Sequence, residues 1–182
     1  MPIQKLRRYT NISALIYLLR NKAITLLSPA TWDDTNDSYS LSIYKKKRKL
    51  KSLLALCFTE TVETYHHWHV FAGGTDGACI VFHKERLLAA LDEYIGVRHQ
   101  KVEYRTLLQI GRGGVTINEL PFVKRAGFAD EDEFRVIWED AIDELKTADF
   151  LIPIDAIDII YLNPWLPPKL VEAASATRPP PE

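Results

Sequence analysis

The sequence predicts a single α+β domain with a mixed, curved β-sheet and three or four helices. Three observations carry this. Short runs rich in β-branched and aromatic residues, the mark of strands, recur along the whole chain, while only a few stretches show helical apolar spacing. The 182 residues, 47% of them apolar and 26% charged, suffice for one substantial core and have a soluble globular composition. Neither a repeat nor a linker divides the chain, so residues 1–176 read as one domain and residues 177–182 as a Pro-rich, disordered tail.

The same composition excludes several functions. A net charge of -1 gives no global field for nucleic acid or an anionic membrane. No apolar run reaches the ~18 residues of a transmembrane helix. The first eight residues carry no secretory signal, so a cytoplasmic protein without a membrane partner is expected. Cys57 and Cys79 sit in apolar runs and read as reduced core thiols.

In order along the chain, residues 6–10 are a strand, and Thr10 or Asn11 caps a helix with Ile12, Leu15, Ile16 and Leu19 on one face. A second strand over 23–27 stops at Ser28-Pro29. Residues 30–40, with Trp32-Asp33-Asp34-Thr35-Asn36-Asp37, read as an acidic loop. The run Lys45-Lys46-Lys47-Arg48-Lys49-Leu50-Lys51 is either a solvated face or a local site for a phosphate-rich partner. Residues 53–59 form a buried strand, 65–71 a helix, 73–77 a turn and 78–82 a strand. A helix over 84–95 places Leu87, Leu88, Leu91 and Ile95 on one side. Residues 101–104 read as an edge strand, 111–114 as a flexible loop, 139–149 as partly helical, 157–162 as a strand and 169–174 as a short helix. His66, His67 and His69 invite a zinc reading, but no third ligand motif accompanies them and no metal is expected.

The most informative stretch is Asp130-Glu131-Asp132-Glu133-Phe134-Arg135-Val136-Ile137-Trp138. Its second half alternates as a strand, with Phe134, Val136 and Trp138 on one face and Glu133, Arg135 and Ile137 on the other. An acid at a strand entrance beside an arginine is either a solvated edge with a surface ion pair or an active-site acid.

Several fragments together resemble a bacterial and phage domain family of unknown function, number 2971 among such domains. They are Arg8-Tyr9, Ser28-Pro29, the loop from Trp32 to Asp37, Cys57-Phe58-Thr59, Trp68 with Phe71, Gly77 with Phe82, Lys124, and Glu131-Asp132-Glu133-Phe134-Arg135. Asp33 and Thr35 stand where that family has Asn and Pro, and Phe71 where it has Tyr. Asp33 in place of Asn changes the donor pattern and adds charge.

A more distant resemblance, at the level of fold, is to mono-ADP-ribosyltransferases. It implies NAD as substrate, an acceptor protein or nucleic acid, and a toxin or antiphage role. Arg8, Ser28 and Glu133 match that superfamily's first-strand, second-strand and late-glutamate positions as catalytic residues. Tyr9, Thr10, Trp32 and Asp33 are then candidates for NAD binding, and Glu131 for activating the acceptor. The chemistry suits these types. Breaking the nicotinamide–ribose bond builds positive charge that a fixed carboxylate stabilises, and an arginine fork meets a pyrophosphate. The alternatives are a non-catalytic binding or regulatory domain with a protein or nucleic-acid partner, and a nuclease or other hydrolase.

Overall fold

Apolar residues that alternate along a strand must find cover on at least one face, and here both faces of one sheet are covered. The computed structural model describes residues 4–72, 74–111 and 114–175. The tail at 177–182, and parts of the expected turn at 73–77 and loop at 111–114, lie outside the described residues.

Ten strands and six helices occur among the described residues: β1 (Lys5–Asn11), α1 (Ile12–Asn21), β2 (Ala23–Leu27), α2 (Thr35–Lys47), β3 (Ser52–Thr59), α3 (Tyr65–Phe71), β4 (Gly77–His83), α4 (Lys84–Leu91), β5 (Val97–Lys101), β6 (Glu103–Arg105), α5 (Leu107–Gly111), β7 (Val123–Arg125), β8 (Glu133–Asp140), β9 (Thr147–Leu151), β10 (Ile157–Leu162) and α6 (Pro168–Ser175). They form a single compact α+β domain. The expected mixed sheet is instead antiparallel throughout its eight strands, and parallel pairing is confined to the separate β6–β7 ribbon. The helices outnumber the three or four expected.

The central strand is β3. Along one edge it pairs with β8 over its whole length, from Ser52↔Asp140 to Thr59↔Glu133. Along the other edge it meets two strands, β1 through Arg7↔Thr59 and β2 through Leu27↔Ala55. From there the two diverge, β1 toward β4 and β10, and β2 toward β9. The sheet is therefore split on one side of β3. The strand of Glu133 is not a direct neighbour of β1 or β2; β3 lies between.

One face carries the main core: Leu6, Ile24, Leu26, Leu54, Leu56, Phe58, Ile80, Phe82, Phe134 and Val136, closed by Leu15 and Leu18 of α1 and Leu87 and Leu91 of α4. The opposite face carries two smaller clusters. Leu41 and Tyr44 of α2 pack on Leu53, Ala55 and Ile137, and Trp68 and Ala72 at α3 pack on Tyr9, Cys79 and Val81. Between α2 and α3 runs a trough floored by β3.

Two expected boundaries move. The acidic loop ends at Asp34, whose side chain accepts from the amides of Asn36 and Asp37 and so starts α2. The helix over 84–95 ends at Leu91, and Ile95 is 97% exposed rather than on a buried face. In the segment read as partly helical, residues 147–151 form β9 against β2.

Candidate active site

The trough is a cleft of ≈ 710 Å³, within the range of small-molecule sites. Arg7, Arg8 and Tyr9 of β1 line it with the start of α2, the β3 floor from Ala55 to Thr59, and His67 and Phe71 of α3. Lys124, Arg125, Phe128, Glu131 and Glu133 close the far wall.

At its base lies a buried charge network. Alternation along β8 points Glu133 and Arg135 to this face, and Asp37 is the inward residue of the first turn of α2. Arg135 is 0% exposed and binds two carboxylates at once. Its Nη1 and Nη2 donate to Asp37 Oδ1 and Oδ2 at 2.9 and 2.5 Å. Its Nε and Nη2 donate to Glu133 Oε1 and Oε2 at 2.6 and 3.0 Å. Lys124 donates to Glu131 Oε2 at 2.6 Å and lies 3.6 Å from Glu133.

Burial is the largest single influence on each carboxyl, and its balance with the partners decides the sign. Burial alone would raise Glu133, but Arg135 and Lys124 outweigh it and hold the carboxyl below the usual range. Asp37 lies above its usual range because burial outweighs Arg135, and Glu131 lies above its own because burial outweighs Lys124. Burial also lowers Arg8 to about 10, which leaves it charged at neutral pH.

The sequence-predicted residues divide. Arg8, Tyr9, Trp32, Asp33, Glu131 and Glu133 all line the cleft. Arg8 reaches the split edge of β3, where its Nη1 donates to the Cys57 carbonyl at 3.3 Å. Trp32 lies over the Arg135 guanidinium at 5.3 Å. Ser28 and Thr10 are not among the lining residues. The Ser28 hydroxyl accepts from the Ala30 amide, 3.4 Å away, and caps the 3-10 turn Pro29–Thr31; Thr31, Thr35 and Thr59 are the threonines that line the cleft instead. Thr10 is buried beside Ala78 in the β1–β4 pairing. Glu133 is not the solvated strand edge that its acidic neighbours suggest, because β8 is covered on both sides by β3 and β5.

Asp37, Lys124 and Arg125 were not legible as site residues. One signal was available for Asp37: Arg135 sits between Phe134 and Val136 in an apolar strand, and a buried guanidinium requires an acid from elsewhere. Asp132 takes a left-handed conformation, φ 43°, between Glu131 and Glu133 and sets the angle between these two carboxylates.

Two buried side-chain polar atoms lack a hydrogen-bond partner among the described residues, the Tyr9 hydroxyl and Arg125 Nε, and both residues line the cleft. The Cys79 thiol beside Tyr9 contributes to its raised pKa, after burial, without meeting hydrogen-bond geometry. Orphaned buried donors are rare in folded proteins and mark places where a ligand can supply the partner. His67 does not offer a metal ligand. Its Nδ1 is 2.6 Å from Thr64 Oγ1 and its Nε2 3.3 Å from the Glu131 carbonyl oxygen. No group of three potential metal ligands converges among the described residues. No helix there is long and apolar enough to cross a membrane.

No protein-family model, curated protein or solved structure matches the chain.

Proposed function

We propose that this protein transfers ADP-ribose from NAD to a macromolecular acceptor, using the cleft between α2 and α3 and an ADP-ribosyltransferase-like arrangement of strands. The observation that supports this is the convergence in one cleft of arginines, aromatic rings and the two glutamates of Glu131-Asp132-Glu133. NAD offers a partner to each. Its pyrophosphate suits Arg8 and the unpartnered Nε of Arg125. Its nicotinamide suits the ring of Trp32 or Phe128. As the C1′–N bond breaks, nicotinamide leaves with the bonding electrons, and the positive charge left on the ribose faces Glu133. The acceptor's nucleophile then bonds C1′ and its proton passes to Glu131, whose raised pKa makes it the better proton acceptor of the two.

A second reading, nucleotide binding without cleavage, is favoured by one observation: both oxygens of Glu133 are already held by Arg135. Labelled NAD and cell extract separate the two. In the first reading the wild type releases nicotinamide and labels an acceptor. Glu133→Gln, assayed where it is folded, then loses about 100- to 1,000-fold in rate, while Glu131→Gln still releases nicotinamide but transfers little label. A wild type that binds NAD and never releases nicotinamide leaves the second reading. One that does not bind NAD sinks both.

A further inference from the structure

The outward face of α2 connects the cleft to the most basic part of the chain. Lys45, Lys46, Lys47, Arg48, Lys49 and Lys51 lie at and just beyond its C-terminal end. None of the six forms an ion pair among the described residues. The helix dipole favours cations in the last turn, but that accounts for Lys45 to Lys47 at most, since Arg48 is the cap and Lys49 and Lys51 lie past it. Six unpaired cations this close repel one another, a cost that an anionic partner relieves.

The route from the cleft to this end has a consistent chemistry. Thr35, Tyr39, Ser42 and Lys46 are all exposed and recur at the spacing of one helix face, and the exposed Lys49 lies just past the end of the helix. Tyr39 is 67% exposed, a free aromatic surface beside hydroxyls and cations. Of the acids of this region, Asp34 caps the helix and Asp37 is buried on Arg135, which leaves the exposed Asp33 at the cleft end, before the helix begins. No carboxylate occurs from Ser38 to Thr59. From Thr35 to Lys46 the stripe runs about 16 Å at 1.5 Å per residue. That is roughly five steps of a nucleic-acid strand at 3.4 Å each.

We propose that this stripe and its basic end form a track for a nucleic-acid strand, with phosphates on Lys46, Lys47, Arg48 and Lys51, a base stacked on Tyr39, and the strand leading into the cleft. Resting on the transfer reading above, the acceptor of ADP-ribose is then a nucleic acid. A flat anionic membrane fits less well. The Lys51 amide donates to the Asp140 carbonyl and the Ser52 hydroxyl to the Asp143 carbonyl, so Asp140, Asp143 and Glu144 flank the basic end and would meet the same plane. A strand following the helix meets the stripe and its basic end, and touches these acids only where it leaves.

Fluorescence anisotropy of the full chain with a labelled single strand of about 20 nucleotides tests the track. Binding should weaken roughly 50-fold between about 50 and 200 mM salt, as expected for about four phosphate contacts to a single strand. The variant Lys46→Gln/Lys47→Gln/Arg48→Gln/Lys51→Gln should lose most of the affinity and flatten the salt dependence. Tyr39→Ala should weaken binding with the salt dependence unchanged. All five side chains are exposed, and circular dichroism of each variant checks the fold. Wild-type protein that binds no strand, or a quadruple variant that binds as tightly, overturns the track. So does binding to phosphatidylserine vesicles through the same lysines without binding to the strand. Nicotinamide release from NAD, measured separately, distinguishes the two claims. Release without strand binding removes the track and leaves the transfer, while strand binding without release supports the track and removes the acceptor role.

Discussion

Glu133 begins a strand after three acids in a row, a context that in sequence suggests a solvated carboxylate whose change to glutamine is nearly silent. In the fold it is buried and shares Arg135 with Asp37. Removing one partner of a buried pair leaves charge behind, so Glu133→Gln should cost about 2–4 kcal/mol. Asp37→Asn should cost less, because burial already holds that carboxyl above its usual range and Glu133 stays on Arg135. The sign of the pH dependence follows from the lowered pKa of Glu133. Its contribution is complete above the unfolded value of about 4.3 and is lost as pH falls through the lower folded value. Urea unfolding of wild type and Glu133→Gln should therefore differ by a constant amount between about pH 7 and 5 and converge below about pH 4. A difference that persists undiminished to pH 3, or one within about 0.5 kcal/mol at pH 7, would show that the charge of Glu133 does not hold the base of the cleft.

Among the elements, β8 was legible because its side chains alternate, and β3 because residues 53–58 form a continuous apolar run. The helix α2 was not. Its inward stripe is Asp37, Leu41 and Tyr44, so its first buried position is an acid, and most of its other residues are polar. An apolar periodicity cannot be seen where an ion pair takes the place of a methyl group. The same substitution hid Asp37 as a site residue, whereas Arg8, Glu131 and Glu133 were named through the resemblance to mono-ADP-ribosyltransferases, and only Glu133 also by its place at a strand entrance. Gly77 shows the opposite case, a contact that only coordinates reveal: a Cβ there would meet Ala72 Cβ at 2.5 Å, so α3 packs on β4 only because the side chain is missing. How α3 holds the cleft wall leads to a prediction. Burial lowers the pKa of His67, so the folded state binds it neutral. The unfolded state takes up the proton first, and stability must fall as pH drops below about 6.5, by at most about 1.4 kcal/mol per pH unit. His67→Gln should remove that part of the slope between about pH 6.5 and 5, read by urea unfolding at each pH. An unchanged slope would mean that His67 titrates equally in both states.

At the scale of the molecule, the cleft exists because two strands compete for one edge of β3. Where β1 and β2 part, the Cys57 carbonyl has no strand on that side and takes the Arg8 guanidinium instead. Arg8 thus closes the split in the sheet and presents its charge to the cleft at the same place. These two roles can be separated by ligand-dependent melting. Arg8→Met keeps most of the side-chain length and loses the donor, so the free protein should lose about 1–2 kcal/mol from the unpaired carbonyl. If Arg8 also meets the NAD pyrophosphate, the variant should lose the ligand's stabilisation as well. At an NAD concentration 100 times the dissociation constant, binding contributes about 2.7 kcal/mol to the wild type. For a chain of this length that raises the melting temperature by about 5–10 °C. Arg8→Met at the same NAD concentration should shift by less than about 2 °C. Glu133→Gln should keep most of the shift, because the charge it faces develops only in the transition state. A full shift in Arg8→Met would confine Arg8 to closing the sheet and place the pyrophosphate elsewhere on the cleft wall.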